Sequence, residues 1–170
     1  MKKIRVGIAD LQIARAPAVL VSYGLGSCIG VALHDPYLKI GGLAHVMLPS
    51  VTPGNRGGDP FKFADSAVDT IVARMIEAGC ARGALLAKMA GGADMFAIAE
   101  SHQPAGTDPR SDARPRIGER NAHAVRAKLG EMGIPLVAED VGGNHGRTVE
   151  LVPATGDLVV RSVRKGCKIL

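Results

Sequence analysis

One cysteine and one histidine have neighbours that suit chemistry. Cys28 lies in the segment Gly-Leu-Gly-Ser-Cys-Ile-Gly (24–30), and His45 lies in Gly-Gly-Leu-Ala-His-Val-Met-Leu-Pro (41–49). The glycines favour a sharp turn that presents the thiol, and the apolar run that follows favours a strand. A returning strand that carries His45 would bring an imidazole beside the thiol. These two groups are the minimum equipment of a cysteine hydrolase.

In such a site, His45 would activate the thiol, either as a general base or within a thiolate–imidazolium pair. Backbone N–H groups of Gly26, Ser27 and Cys28 would hold the oxyanion of a tetrahedral intermediate. The alternative is structural: Cys28 is a buried cysteine beside a packing turn, and His45 is a core histidine of an apolar strand.

A third group usually orients the imidazole in sites of this kind. Ser22 precedes the glycine turn on the entering strand, and its hydroxyl could accept a hydrogen bond from an imidazole N–H. Asp35 is a competitor, although the Asp-Pro turn explains it more simply. The structural alternative for Ser22 is a strand serine bonded to backbone.

The composition is that of a soluble globular protein. The chain has 170 residues, of which 46% are hydrophobic and 22% charged, and a single domain spanning 1–170 is expected. Aromatic residues make up only 3%, with no Trp, which argues against base stacking on nucleic acid. The net charge of +5 indicates either mild attraction to an acidic partner or a solvated basic surface.

Three widely spaced cysteines, Cys28, Cys80 and Cys167, lack the CxxC spacing of zinc sites and are too few for a disulfide framework. Cys80 and Cys167 are therefore interpreted as structural or incidental. We expect no metal and no membrane insertion, because no window approaches about 18 uninterrupted apolar residues. Reduced thiols and the absence of a signal-like stretch predict a cytoplasmic protein.

Apolar periodicity predicts most of the secondary structure. Strands are predicted over residues 4–9, 18–23, 29–34, 40–48, 83–89, 136–141, 148–152 and 158–163. Helices are predicted over 61–78, 93–100 and 119–132, the first capped by Asp59 and ended by Gly79. This order lacks regular βα alternation and predicts an α+β fold, with helices on one side of a layered β core.

Two glycine pairs have both structural and functional interpretations. Gly91-Gly92 follows a predicted strand and could cradle an anion, although it lacks the spacing of a P-loop. Gly142-Gly143 is explained by a tight hairpin between two strands. Between the helices, residues 101–116 form a long polar loop rich in Pro and Arg.

The ordered set of motifs resembles the CheD family of chemoreceptor glutamine deamidases. The matches are Leu25 to Gly30, His45 to Pro49, Lys62-Phe63, Lys88 with Gly91-Gly92-Ala93 and Met95-Phe96, Ile117 to Asn121, and Asp140 to Gly143 with Gly146-Arg147. The resemblance implies a protein-glutamine glutaminase that converts receptor glutamines to glutamate and ammonia without a cofactor. It assigns Cys28 as nucleophile and His45 as general base, and Ser22 stands where the family usually has threonine.

The resemblance also implies a fold and partners. The family fold is a layered α/β/β sandwich of stacked mixed sheets with outer helices, similar to deamidating bacterial toxins. Its partners are receptor cytoplasmic domains and a CheC-type phosphatase that diverts the enzyme from receptors. Residues 101–116 are longer than the family pattern, and we hypothesise that they form a basic flap that contacts acidic receptor helices.

Three other functions stay open. The chain could be a binding module without turnover, which would bind receptors unchanged after Cys28→Ala. It could be a receptor methylesterase, in which methanol leaves in place of ammonia. Binding to nucleic acid is the least favoured, and strong salt dependence would be its signature.

Overall fold

The structure is a computed structural model that describes residues 1–51, 58–96 and 116–170. Two predictions lie wholly or partly outside these ranges. They are the loop predicted at 101–116, of which only residue 116 is described, and the helix predicted at 93–100, of which residues 97–100 are not described. Residues 93–96 of that predicted helix are described, and they form irregular backbone and a turn, so this part of the prediction is wrong.

Within the described ranges, ten strands form two mixed sheets of five strands each. In chain order the elements are β1 (Lys3–Val6), β2 (Leu11–Arg15), β3 (Val19–Leu25), β4 (Ile29–Asp35), β5 (Ile40–Val46), α1 (Ala64–Glu77), a 3-10 turn (Arg82–Ala84), β6 (Leu86–Gly91), α2 (Ile117–Glu131), β7 (Leu136–Val141), β8 (Arg147–Val152), β9 (Asp157–Ser162) and β10 (Gly166–Ile169). The strand order is β1-β3-β8-β9-β10 in one sheet, here called the outer sheet. It is β2-β5-β4-β6-β7 in the other, here called the helix-covered sheet.

The helix-covered sheet is the middle layer. Val31 and Leu33 of β4 pack with apolar residues of α1 and α2, whereas Ala32 between them packs with the outer sheet. Successive strand residues point to opposite faces, so a strand buried on both faces reads as a continuous apolar run. The layers are thus helices, sheet and sheet, which confirms the predicted α+β sandwich with helices on one side.

The eight predicted strands are present, with ends shifted by up to three residues. Two strands escaped prediction: β2, whose residues mix polar and apolar types, and β10, which is exposed along its whole length. β10 pairs with β9 at the edge of the outer sheet. All four of its residues are exposed, so neither face of β10 makes the core contact that produces an apolar pattern.

Two local predictions are wrong. Helix α1 begins at Ala64, and its first N–H donates to Leu48 O at 2.8 Å. Asp59 instead accepts from Phe61 N in the preceding turn. Residues 142–146 do not form a tight hairpin, because β7 pairs with β6 and β8 pairs with β3 and β9. This segment carries the chain from one sheet to the other.

Candidate functional site

The glycine turn at residues 26–28 also crosses between the sheets, from the end of β3 in the outer sheet to the start of β4 in the helix-covered sheet. Two backbone bonds hold it: Ala93 N donates to Gly26 O and Gly92 N donates to Cys28 O, each at 2.8 Å. Cys28 is half-buried against the apolar cluster between the sheets. The thiol therefore faces the inter-sheet space.

The glycine pair after β6 makes this close approach possible. Gly91 has a φ of +123°, and a Cβ at this position would lie 2.1 Å from Cys28 O. Gly92 has a φ of +63° and lies so close to Gly118 that a Cβ would be 2.8 Å from Gly118 O. Only glycine fits such contacts. The pair thus has a structural role, packing β6 and α2 against the turn that carries Cys28.

His45 lies on β5 directly opposite Gly30 of β4. Gly30 follows Cys28 by two residues. Directly paired residues share a face, and a Cβ at Gly30 would meet Leu25 and Val149 of the outer sheet. The His45 side chain therefore points towards the outer sheet. It has no solvent exposure.

A hydroxyl on the facing sheet meets the imidazole. Ser22 of β3 is fully buried, and its Oγ lies 2.9 Å from His45 Nδ1. The same hydroxyl donates to Val6 O at 3.0 Å. A serine hydroxyl has one proton, so Ser22 Oγ accepts from the Nδ1–H of His45. That bond assigns the tautomer and leaves the Nε2 lone pair as the basic position.

The Nε2 atom of His45 is buried and has no hydrogen-bond partner within the described ranges. A buried polar atom without a partner costs free energy and calls for an explanation. A base awaiting a proton from a thiol or a water is one such explanation, because the acceptor must be unoccupied before the reaction.

Burial sets the resting charges. It lowers the pKa of His45 below its usual 6.5. Burial also raises the pKa of the Cys28 thiol above its usual 9.0, and the backbone N–H of Cys28 opposes this in part. Both directions favour the uncharged forms. Near pH 7 the resting site therefore holds a neutral thiol and a neutral imidazole, in place of a thiolate–imidazolium pair.

Asn121 links the two chain segments that carry these groups. Its fully buried side chain donates from Nδ2 to Ser27 O and to Met47 O, both at 2.9 Å. Ser27 precedes Cys28, and Met47 follows His45 by two residues. Asn121 thus ties the thiol turn to the end of β5. Asn121 ends the Ile117 to Asn121 motif that carries part of the family resemblance, and its position in a helix does not reveal the two segments that it joins.

Other candidate groups have structural uses. Asp35 accepts from Tyr37 N and Leu38 N at the far end of β4, so it caps a turn and does not orient His45. Lys88 donates to Gly156 O and Leu170 O. Cys80 is buried, and burial with the nearby Asp35 raises its pKa to about 11; Cys167 is exposed.

The described residues offer neither a metal-ligand cluster nor a membrane-spanning helix. They contain no group of three or more His, Cys, Asp or Glu side chains that could hold a metal ion. Among the same residues, no helix is both long enough and apolar enough to cross a membrane.

The structure is a layered α+β protein that holds a half-buried thiol on a glycine turn and an imidazole oriented by Ser22; among the described residues no hydrogen bond joins Cys28 Sγ to His45 Nε2. The family profile described as CheD chemotactic sensory transduction matches residues 47–162. The chain belongs to the CheD family.

Individual relatives match along nearly the whole chain. A protein named "Probable chemoreceptor glutamine deamidase CheD" from Desulfitobacterium hafniense is 45% identical over 98% of both chains. One of the same name from Moorella thermoacetica is 43% identical, covering 99% of this chain and 96% of its own. "Probable chemoreceptor glutamine deamidase CheD 2" from Geobacter metallireducens is 46% identical over 99% of both.

Among solved structures, the Bacillus licheniformis hypothetical protein YfiH matches with a TM-score of 0.44 and 17% identity. The match covers 77% of this chain and 49% of that chain.

Proposed function

We propose that this protein is a cysteine-dependent protein-glutamine glutaminase that deamidates glutamines on chemoreceptor cytoplasmic domains. The observation that carries the proposal is the buried His45, whose Nδ1–H is held by Ser22 and whose Nε2 has no partner in the described ranges. Its strand pairs with the strand that begins just after Cys28. Relatives named as chemoreceptor glutamine deamidases supply the substrate class.

In the first half-reaction, Cys28 Sγ attacks the amide carbon of the glutamine side chain while His45 Nε2 takes the thiol proton. The carbonyl oxygen becomes an oxyanion. His45 then returns the proton to the nitrogen, the C–N bond breaks, and ammonia leaves with a thioester at Cys28. A general base with a pKa near the working pH suits both transfers.

In the second half-reaction, water attacks the thioester carbon while His45 Nε2 takes its proton. The C–S bond breaks, the sulfur regains a proton from His45, and the product is a glutamate side chain. Nucleophile and proton carrier both come from the chain, so the reaction as written uses no cofactor. Ser22 acts through His45 and is a positioning residue.

The oxyanion site is assigned to the backbone amides of Gly26 and Ser27, with that of Cys28 beside them. The turn carbonyls of Gly26 and Cys28 already accept from the segment after β6. In the described ranges, none of the backbone bonds outside the strand ladders uses the three turn amides as donors. The N–H of Cys28 also lowers the pKa of its own thiol, which supports an amide directed at the sulfur.

The proposal includes a cytoplasmic location and one functional domain over 1–170, since the receptor domains in question are cytoplasmic. A CheC-type phosphatase as second partner follows from the family resemblance and stays a prediction. Co-purification of the two proteins from a mixture would test it.

Mass spectrometry of a chemoreceptor cytoplasmic fragment tests the function. We expect the wild-type protein to convert defined glutamines to glutamate with release of ammonia, and Cys28→Ala to convert none. Cys167→Ala removes an exposed thiol and serves as the matched control, with activity unchanged.

Three outcomes would contradict the proposal. Methanol release from methylated receptor without ammonia would identify a methylesterase. Receptor binding without any conversion would identify a binding module. Full conversion by Cys28→Ala would exclude the thiol mechanism.

A further inference from the structure

A cavity of about 460 Å³ lies beside the candidate site. Gly24 of β3 and Met95 form part of its wall. The Met95 side chain also covers the glycine turn, since a Cβ at Gly26 would lie 3.0 Å from Met95 Cγ. The cavity therefore begins one side chain away from the turn that carries Cys28.

The lining of this cavity is also basic. It includes Arg161 at the end of β9 and Arg164 in the turn after it. Lys165 lines an adjoining cavity of about 290 Å³ that shares His145 with the first. We call His145, Arg161, Arg164 and Lys165 the basic groove.

Among the described residues, the cations of the basic groove are not paired with carboxylates. In residues 1–51, 58–96 and 116–170, no carboxylate lies within ion-pair distance of Arg161, Arg164 or Lys165. The neighbouring Arg147, by contrast, is buried and paired with Asp140 at 3.4 Å. Uncompensated positive charge in a concave surface attracts anions.

His145 adds a buried polar atom without a partner. The residue is only 9% exposed, and its Nδ1 has no hydrogen-bond partner in the described part of the chain. Burial lowers the pKa of His145, as do the positive charges of Arg147, Lys165 and Arg164, while the Asp140 carboxylate opposes them. In its Nδ1–H tautomer, the neutral imidazole offers an anion an unfilled hydrogen-bond donor beside these cations.

The rim is also apolar. Among the lining residues, Met95 is half-exposed, and Val163 lies fully exposed between Arg161 and Arg164. Alternating apolar and basic contacts fit an amphipathic polypeptide better than a free inorganic anion. Base stacking of single-stranded nucleic acid is disfavoured because aromatic residues make up only 3% of the chain.

We propose that the basic groove binds carboxylates of an acidic polypeptide segment that carries the target glutamine, and so selects glutamines flanked by acidic residues. This inference rests on the proposed deamidase function and names the feature of the substrate that the enzyme reads. Met95 and Val163 contact the apolar side of the same segment.

A binding experiment tests the groove without turnover. The full-length Cys28→Ala protein is titrated with a synthetic helical peptide that has one glutamine flanked by glutamates, and with its counterpart in which the glutamates are replaced by glutamines. Arg161→Gln with Arg164→Gln removes two groove charges. Lys2→Gln with Arg82→Gln is the matched control, because both residues are exposed: Lys2 precedes β1, and Arg82 begins the 3-10 turn that precedes β6, each before the strand end that lies away from the site.

We expect the groove double variant to raise the Kd for the acidic peptide roughly 3- to 10-fold, as two partly exposed ion pairs would. The neutral peptide and the control variant should show no change, and added salt should remove the difference. Thermal unfolding of both double variants checks that each is folded.

Equal binding of the acidic peptide by groove and control variants would overturn the proposal, as would no detectable binding by the Cys28→Ala protein. If the protein binds inorganic phosphate but binds the acidic and neutral peptides equally, the groove is only an anion site and the proposal is overturned. Tighter binding of a DNA duplex than of the acidic peptide would overturn it also. Because no turnover is measured, failure here is separate from failure of the deamidase assay.

Discussion

The Nδ1 atom of His45 and the Oγ atom of Ser22 lie 2.9 Å apart and join the two sheets of the sandwich through a buried hydrogen bond. His45 belongs to the helix-covered sheet and Ser22 to the outer sheet. The imidazole orientation therefore depends on how the sheets pack, and Val6 O extends the chain of bonds to a third strand.

Ser22→Ala removes the acceptor for the His45 Nδ1–H and the donor to Val6 O. We expect kcat/KM for deamidation to fall roughly fivefold or more, since one net hydrogen bond contributes about 1 kcal/mol. Ser22→Thr keeps the hydroxyl and should restore most of the activity. A change in the acid limb of the pH–rate profile in Ser22→Ala, absent in Ser22→Thr, would distinguish positioning from a purely structural role. Unchanged kinetics in folded Ser22→Ala would contradict it.

The directions of the pKa shifts predict a neutral resting pair. Cys28 should react with iodoacetamide slowly at pH 7, and its rate should climb with pH to a midpoint above 9.0, because burial raises the pKa of its thiol. Activity should fall only below pH 6.5 on the acid side, because burial lowers the pKa of His45. Mass spectrometry of alkylated Cys28, with Cys28→Ala as the blank, measures the alkylation rate at each pH. A thiolate already formed at pH 6 would contradict the account.

The same shifts predict how the free energy of unfolding depends on pH. The folded protein resists protonation of His45, so the unfolded chain takes the proton first and stability is lost as the pH falls below 6.5. The folded protein also resists loss of the Cys28 proton, so stability is lost as the pH rises above 9.0. Denaturant unfolding of wild-type protein compared with Cys28→Ala isolates the alkaline contribution. If the free energy of unfolding falls equally in wild-type protein and Cys28→Ala as the pH rises above 9.0, the predicted contribution of Cys28 is contradicted.

Gly91→Ala should break the support of the thiol turn. Its Cβ would lie 2.1 Å from Cys28 O at a φ of +123°, so we expect a loss of about 3 kcal/mol or more in the free energy of unfolding. Gly130→Ala in α2 is the matched control, because its Cβ would meet nothing within 4 Å, and a helical alanine adds about 0.5–1 kcal/mol. Denaturant unfolding measures both. A Gly91→Ala protein as stable as Gly130→Ala would show that the turn is held differently.

Asn121→Ala should loosen the link between the thiol turn and β5. Losing two buried hydrogen bonds should lower the free energy of unfolding by about 2 kcal/mol. The alkylation rate of Cys28 relative to exposed Cys167 should rise under conditions where the variant stays folded. A destabilised Asn121→Ala with an unchanged ratio of the two rates would assign Asn121 to stability alone.

The sequence predicts the layers well because the strands depend on local patterns, while the roles of Cys28, His45 and Ser22 stay predictions. Strands such as β4 are buried on both faces and read as apolar runs, whereas β10 has no buried face and leaves no such pattern. The link between Ser22 and His45 joins different sheets. Periodicity places each residue on its own strand, and the packing of the sheets brings them together.

Long-range packing also explains the errors. Residues 142–146 resemble a hairpin turn, yet β7 and β8 pair in different sheets, and strand pairing cannot be read from a turn alone. For Gly91-Gly92 the sequence left an anion cradle and a structural role open, and the contact that requires glycine is with Cys28 O, far away in the chain. The roles of Asn121 and His145 likewise depend on partners, or on their absence, in other segments.

Trapping the covalent intermediate tests the central claim most directly. The wild-type protein is mixed with a glutamine-containing receptor fragment, quenched in acid within the first turnover, digested and analysed by mass spectrometry. The account predicts a thioester on the fragment that contains Cys28, with the substrate mass reduced by one ammonia, and none in Cys28→Ala. An adduct on another residue, or glutamate formed at the wild-type rate by Cys28→Ala, would contradict it.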